Sequence, residues 1–130
     1  LIPEVSAEFA GCFGRNSGGL IGPYRTVDAD TIVVALGSVL GTIKDTVDEL
    51  REEEMKIGAL GITSFRPFPL EAVRAALAGC RRVIVLEKAL AVGIGGIVSA
   101  DVRMALAGIG LHGYTVIAGL GGRAITRASL

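Results

Sequence analysis

The chain has 130 residues, 51% apolar and 20% charged, with a formal net charge of zero. That is the balance of one globular domain, large enough to bury a core without metal or disulfide staples. Matched Lys/Arg and Asp/Glu without a basic tract exclude a nucleic-acid footprint or an anionic-membrane surface, and no apolar run approaches the ~20 residues of a spanning helix.

Residues 1–27 carry no sustained period; Gly14, Gly18, Gly19, Gly22 and Pro23 punctuate them, so they read as an entry segment or linker with turns. The chain opens Leu1-Ile2-Pro3, with no signal segment, and reads as a piece of a longer protein. The domain proper is expected over 28–130. Thr31-Ile32-Val33-Val34-Ala35-Leu36 is a short β-branched run, the mark of a strand buried on both faces. After Gly37-Ser38, apolar residues recur at Leu40, Ile43, Val47 and Leu50, one face of a helix. Lys56 to Ile62 is a second strand, and Pro69 suits the start of a helix through Leu70, Val73 and Leu77, with Gly79 expected to end it in the left-handed conformation.

Arg82-Val83-Ile84-Val85-Leu86 is a third strand, and the turn Gly93-Ile94-Gly95-Gly96 leads into a helix carrying Val98, Val102 and Leu106. A fourth strand runs from Tyr114 to Ala118, before the tail Gly119-Leu120-Gly121-Gly122-Arg123. Strands alternating with helices predict an α/β fold, a three-layer open sheet that is mostly parallel, built from right-handed βαβ units. Its ligand and partner contacts belong in the loops beyond the strand C-termini.

Those loops hold the candidate site residues. Ser38 sits where a phosphate loop would be, but the segment lacks the Lys and spacing of GxxxxGK[ST]; it reads as a helix cap, with anion binding at the helix start as the alternative. Gly93, Gly95 and Gly96 form too little of GxGxxG for a dinucleotide site, and fit close backbone approach to another segment or subunit. Arg66, stiffened by Pro67 and Pro69 and flanked by Phe65 and Phe68, has two readings: an anion or substrate contact, or a structural pair with Glu87 at an interface. Arg123 closes the set.

His112 reads as a loop residue rather than a general base. Cys12 and Cys80 form no CxxC, which argues against an iron–sulfur or zinc site; both read as buried small hydrophobes, and a reducing cytoplasm fits them. No set of nucleophile, base and orienting group emerges, so no catalytic, cofactor-binding or metal residue is assigned. Read on residues alone, the chain is a binding or assembly module, with a free-standing small-ligand or nucleotide-binding module as the alternative.

Several segments taken together resemble the α chain of pyruvate and other 2-oxoacid:ferredoxin oxidoreductases. They are Gly14-Arg15 with Gly18-Gly19, Tyr24, Asp28-Ala29-Asp30, Leu36-Gly37-Ser38 with Gly41-Thr42, and Val47-Asp48-Glu49-Leu50-Arg51. Lys56-Ile57-Gly58, Phe65-Arg66-Pro67-Phe68-Pro69, Val85-Leu86-Glu87-Lys88-Ala89, Gly93 to Gly96 and Ala118-Gly119-Leu120-Gly121-Gly122-Arg123 continue the series over essentially the whole chain. Pyruvate enzymes often carry Asp-Arg where Glu87-Lys88 stands, so the identity of the 2-oxoacid stays open.

The resemblance implies domain II, a transketolase C-terminal-domain-like unit, of an enzyme that converts a 2-oxoacid and CoA to acyl-CoA and carbon dioxide and reduces ferredoxin. It implies thiamine diphosphate, Mg2+ and [4Fe-4S] clusters in the full complex and none in this chain. Other domains or subunits of a homo- or hetero-oligomer are the implied partners, with ferredoxin and CoA serving the whole enzyme.

Overall fold

The structure, a computed structural model, describes residues 1–16 and 18–130. Its centre is a five-stranded sheet in the order β1-β3-β2-β4-β5. β2 (Thr31–Ala35), β3 (Ile57–Ile62), β4 (Arg82–Glu87) and β5 (His112–Ile117) are parallel to one another. β1 (Ile21–Tyr24) is antiparallel to β3, with Ile21 opposite Ile62 and Tyr24 opposite Ala59.

Residues 1–27 therefore do more than the sequence reading expected. They hold helix α1 (Ile2–Phe13) and the edge strand β1. β1 is short and carries Gly22 and Pro23, which read locally as a turn; its strand state comes from pairing with β3, and an edge position tolerates the proline. α1 opens with Pro3 in its first turn and buries none of its residues.

Helix α2 (Val39–Glu52) lies on one face of the sheet, and α3 (Leu70–Leu77) and α4 (Ile97–Ala105) lie on the other. The strands divide their side chains by the period of two. Ile32, Val34, Leu60, Ile62, Val83 and Val85 pack with Val73 and Leu77 of α3 and Val98 and Val102 of α4. Ala35, Ile57, Ala59 and Leu86 pack with Val39, Ile43 and Val47 of α2. The expected three-layer, mostly parallel α/β architecture is what the sequence folds into.

Polar ties lock the β1 end to α2. Arg51, near the end of α2, donates from Nε to the Ile57 carbonyl at 2.6 Å and from Nη2 to the Arg25 carbonyl at 2.8 Å. Its guanidinium also holds both carboxyl oxygens of Asp28, at 2.7 and 3.1 Å, the fork geometry that suits Arg. This hydrogen bond, more than charge alone, holds the Asp28 carboxyl below the usual carboxylate range and raises the pKa of Arg51. Tyr24 donates its hydroxyl to Asp48 at 2.7 Å, and Arg25 Nε lies 2.7 Å from the same carboxyl group.

Local details correct three further expectations. α3 ends at Ala78 in the right-handed region, so Gly79 does not supply a left-handed cap. His112 begins β5, exposed, rather than lying in a loop. Cys80 is buried and Cys12 is exposed on α1; burial pushes the Cys80 thiol pKa up.

Candidate functional site

The chain order of the parallel strands reverses about β2. The connection through α2 carries the chain to β3 on one side, and the connection through α3 returns it to β4 on the other. In open α/β sheets the crevice at such a reversal, outside the strand C-termini, is the usual ligand place. Here it is a hollow of about 280 Å³ lined by Leu36, Phe65, Leu86, Glu87, Lys88, Ala89, Ile97 and Val98. Apart from Glu87 and Lys88 the lining is apolar.

Glu87 ends β4 and is 3% exposed. Its Oε2 accepts the Val98 N–H at 3.0 Å and its Oε1 accepts the Ser99 N–H at 2.6 Å. These are orphan donors of the first turn of α4, the position at which such folds receive a phosphate or carboxylate. The protein supplies that anion itself. Gly96 makes it possible: a Cβ there would stand 2.2 Å from Glu87 Oε1 and 2.5 Å from Ser99 Oγ. Close approach, one of the readings of this turn, is thus realised toward a side chain of the same chain.

The rest of the β4–α4 loop projects. The Ala91 N–H donates to the Gly95 carbonyl at 2.9 Å and the Gly95 N–H returns to the Ala91 carbonyl at 2.8 Å, closing a tight turn in which Gly93 and Gly95 take φ of +84° and +89°. The turn presents Leu90, Val92 and Ile94 outward, 54%, 98% and 72% exposed, with Ile97 beside them. This apolar rim was not singled out by sequence reading; the signal lay in the alternation of Leu90, Val92 and Ile94 with small residues in a loop.

Arg66 does not meet Glu87. Its Nη2 lies 2.9 Å from Asp101 Oδ2 on α4, its guanidinium stacks 3.9 Å over the Phe65 ring, and its Nη1 donates to the Phe65 carbonyl at 2.9 Å. Phe65 meets Phe68 edge to face at 6.3 Å. Asp101, absent from the sequence candidates, is the partner because the start of α4 stands between the β3–α3 loop and the buried Glu87. Ser38 occupies the N-cap position of α2 but makes no side-chain cap bond, and it is exposed.

Arg123 lies apart from the crevice. It lines a larger cavity of about 540 Å³ on the α2 face, with Ile43, Val47, Leu86, Val116 and Ile125 among its walls. The site residues thus fall into three places: Phe65–Arg66, Glu87 and the glycines around the crevice, Ser38 at the start of α2, and Arg123 on the opposite face.

The residues present do not fit thiamine diphosphate or a metal cluster. The helix start that would hold a diphosphate is filled by Glu87, and no group of three or more His, Cys, Asp or Glu able to hold a metal ion occurs among the described residues. What the arrangement offers is an apolar hollow with a firm apolar rim.

Comparison with known proteins agrees with the fold and extends it. The family model for the pyruvate:ferredoxin oxidoreductase core domain II matches residues 29–130. Pyruvate synthase subunit PorA of Methanothermobacter thermautotrophicus is 37% identical over 130 residues, all of this chain and 33% of that one. The PorA subunit of Thermotoga maritima is 42% identical over 127 residues, 96% of this chain and 32% of its own. The chain spans about a third of the length of the curated relatives it matches. Among solved structures, the 2-oxoglutarate:ferredoxin oxidoreductase of Magnetococcus marinus superposes with a TM-score of 0.60 at 22% identity, over 93% of this chain and 19% of that one. A split-gene transketolase superposes with a TM-score of 0.62 at 18% identity, over 78% of this chain and 33% of that one. With the family match covering all four parallel strands after β1 and relatives of about 40% identity running through the whole length, the chain belongs to the pyruvate:ferredoxin oxidoreductase core domain II family.

Proposed function

We propose that this domain serves a cytoplasmic oxidoreductase that cleaves a 2-oxoacid, most simply pyruvate, with CoA to acyl-CoA and carbon dioxide and passes the electrons to ferredoxin. Its own part is to seat neighbouring domains or subunits and to form an edge of the cleft, without carrying catalysis. Thiamine diphosphate, Mg2+ and the [4Fe-4S] clusters belong to the other parts of that enzyme. Residues 28–130 form the working unit, with 1–27 leading into it.

One observation carries this reading. The crevice at the strand reversal is apolar, its helix start is already satisfied by Glu87, and its rim exposes Leu90, Val92 and Ile94. Exposed apolar residues grouped on a rigid loop are what an interface core requires. A polar, diphosphate-bearing cofactor needs donors free to meet it, and this helix start has given two of its own to Glu87. The same fact weighs against a free-standing nucleotide-binding module.

Calorimetry of the chain with thiamine diphosphate and Mg2+ tests the division of labour: no binding heat is expected. Tight binding by the chain alone would overturn the proposal.

A further inference from the structure

The far end of the sheet carries an inference beyond the crevice. Among the described residues β5 pairs with β4 alone, and it is exposed on both faces from His112 through Val116. Along its inner edge the His112 N–H donates to the Arg81 carbonyl and the Ala118 N–H to the Glu87 carbonyl, at 3.4 and 2.9 Å. In a parallel ladder successive residues turn their backbone groups to opposite sides. Gly113, Thr115 and Ile117 therefore direct N–H and C=O together to the outer edge, which has no strand beside it.

This edge is open apart from the cations beside it. No proline or lysine interrupts His112-Gly113-Tyr114-Thr115-Val116-Ile117, and Tyr114 and Val116 remain exposed. Unsatisfied backbone in an open ladder selects its own occupant, another extended strand.

The charges around β5 say which kind. Arg82 stands opposite His112 in register, and Arg103 Nη2 lies 3.5 Å from Thr115 Oγ1. At the far end the Lys88 side chain runs beside Gly119, where a Cβ would stand 3.1 Å from its Cε, and exposed Arg123 follows. Among the described residues none of these four cations has a carboxyl group within ion-pair distance. Many of the acids sit instead on and after α2, at Asp45, Asp48, Glu49, Glu52, Glu53 and Glu54. Antiparallel pairing of β5 with its own copy about Thr115 would bring two Arg103 side chains together, a like-charge opposition that destabilises a sheet.

We propose that the outer edge of β5 accepts an extended, acidic segment of a partner polypeptide as an additional strand. Backbone bonds to Gly113, Thr115 and Ile117 hold the segment, and carboxylates on it meet Arg103, Lys88 and Arg123. This surface is separate from the β4–α4 rim and stands or falls independently of it.

Fluorescence anisotropy on the chain with short labelled probes tests it. The probes are an alternating Thr/Val peptide flanked by glutamates, the same core flanked by lysines, and the glutamate peptide N-methylated at alternate amides. The glutamate probe is expected to bind, the lysine probe to bind at least ~10-fold more weakly, and the N-methylated probe not to bind. Thr115→Pro, which removes an outward N–H together with the Thr115 hydroxyl, is expected to abolish binding with the circular dichroism spectrum unchanged, and Thr115→Val, which removes the hydroxyl alone, to keep it; if the proline variant unfolds, the N-methylated probe makes the same test. No binding of the glutamate probe at millimolar concentration, equal binding of the lysine probe, or full binding of the N-methylated probe would overturn the proposal. So would sedimentation showing a dimer of the chain that the glutamate probe does not dissociate.

Discussion

The two ends of the sheet use their side chains differently. At the β1 end, Arg51, Asp28, Tyr24, Asp48 and Arg25 bind one another and the backbone, joining β1, β3 and α2 into one body. At the β4–β5 end, Leu90, Val92, Ile94, Tyr114 and Val116 are exposed, and among the described residues Arg82, Lys88, Arg103 and Arg123 have no acidic partner. The first end is complete within the chain, and the second has the composition of a surface that another protein covers. On the proposed reading the domain is stabilised from one side and used from the other.

The contrast can be broken most forcefully in the core. Leu60→Ala, at a fully buried position in β3, is expected to cost about 2–5 kcal/mol in denaturant unfolding. Val116→Ala on β5 should stay within about 0.5 kcal/mol, as for other surface positions. Equal losses at the two sites would mean that β5 is integral to the isolated fold and the contrast is false.

Next comes the start of α4. Gly96→Ala places a methyl group where Glu87 Oε1 lies, displacing the carboxyl group from the Val98 and Ser99 N–H donors. A loss of about 2 kcal/mol is expected, the cost of leaving buried donors unpaired. Thermal melting that matches the parent chain would show that Glu87 does not anchor the start of α4.

Smaller effects belong to the locked end. Arg51→Ala removes four hydrogen bonds, to Ile57, Arg25 and both Asp28 oxygens, and should lower Tm by several degrees. Acid should weaken the same tie. Because the folded Asp28 carboxyl titrates below its unfolded value, its contribution is complete above about pH 4 and disappears as pH falls through the depressed value. Asp28→Asn should therefore flatten the stability loss below pH 4 and leave the loss from other carboxylates. An unaltered acid limb in urea titrations would contradict that role. Arg66→Ala, which breaks a pair in which the arginine is exposed and the Asp101 carboxyl group mostly buried, should cost about 1 kcal/mol.

How much of this was legible in the sequence follows the same division. The runs at Thr31–Leu36 and Arg82–Leu86 and the helix through Ile43 and Val47 were readable because burial on fixed faces imposes a period. β1 was not, since Gly22 and Pro23 look like a turn and only β3 makes them a strand. The loops were correctly placed beyond the strand C-termini, yet Arg66 pairs with Asp101 and not with Glu87. Sequence shows that Glu87 ends a strand; it does not show that the start of α4 reaches it first. Asp101 was missed because a single Asp on a helix carries no period, and the apolar rim because its alternation of Leu90, Val92 and Ile94 with small residues falls in a loop.

The central claim is that the β4–α4 rim docks a neighbouring domain or subunit and does no chemistry, and Val92→Asp in the assembled oxidoreductase tests it most directly. Val92 is 98% exposed, so the variant chain should melt as the parent does. Sedimentation velocity should show the assembly dissociating, with activity falling in proportion to the loss of assembled enzyme. Intact assembly with lost turnover would contradict the account, because the rim would then act on substrate or cofactor rather than on a partner.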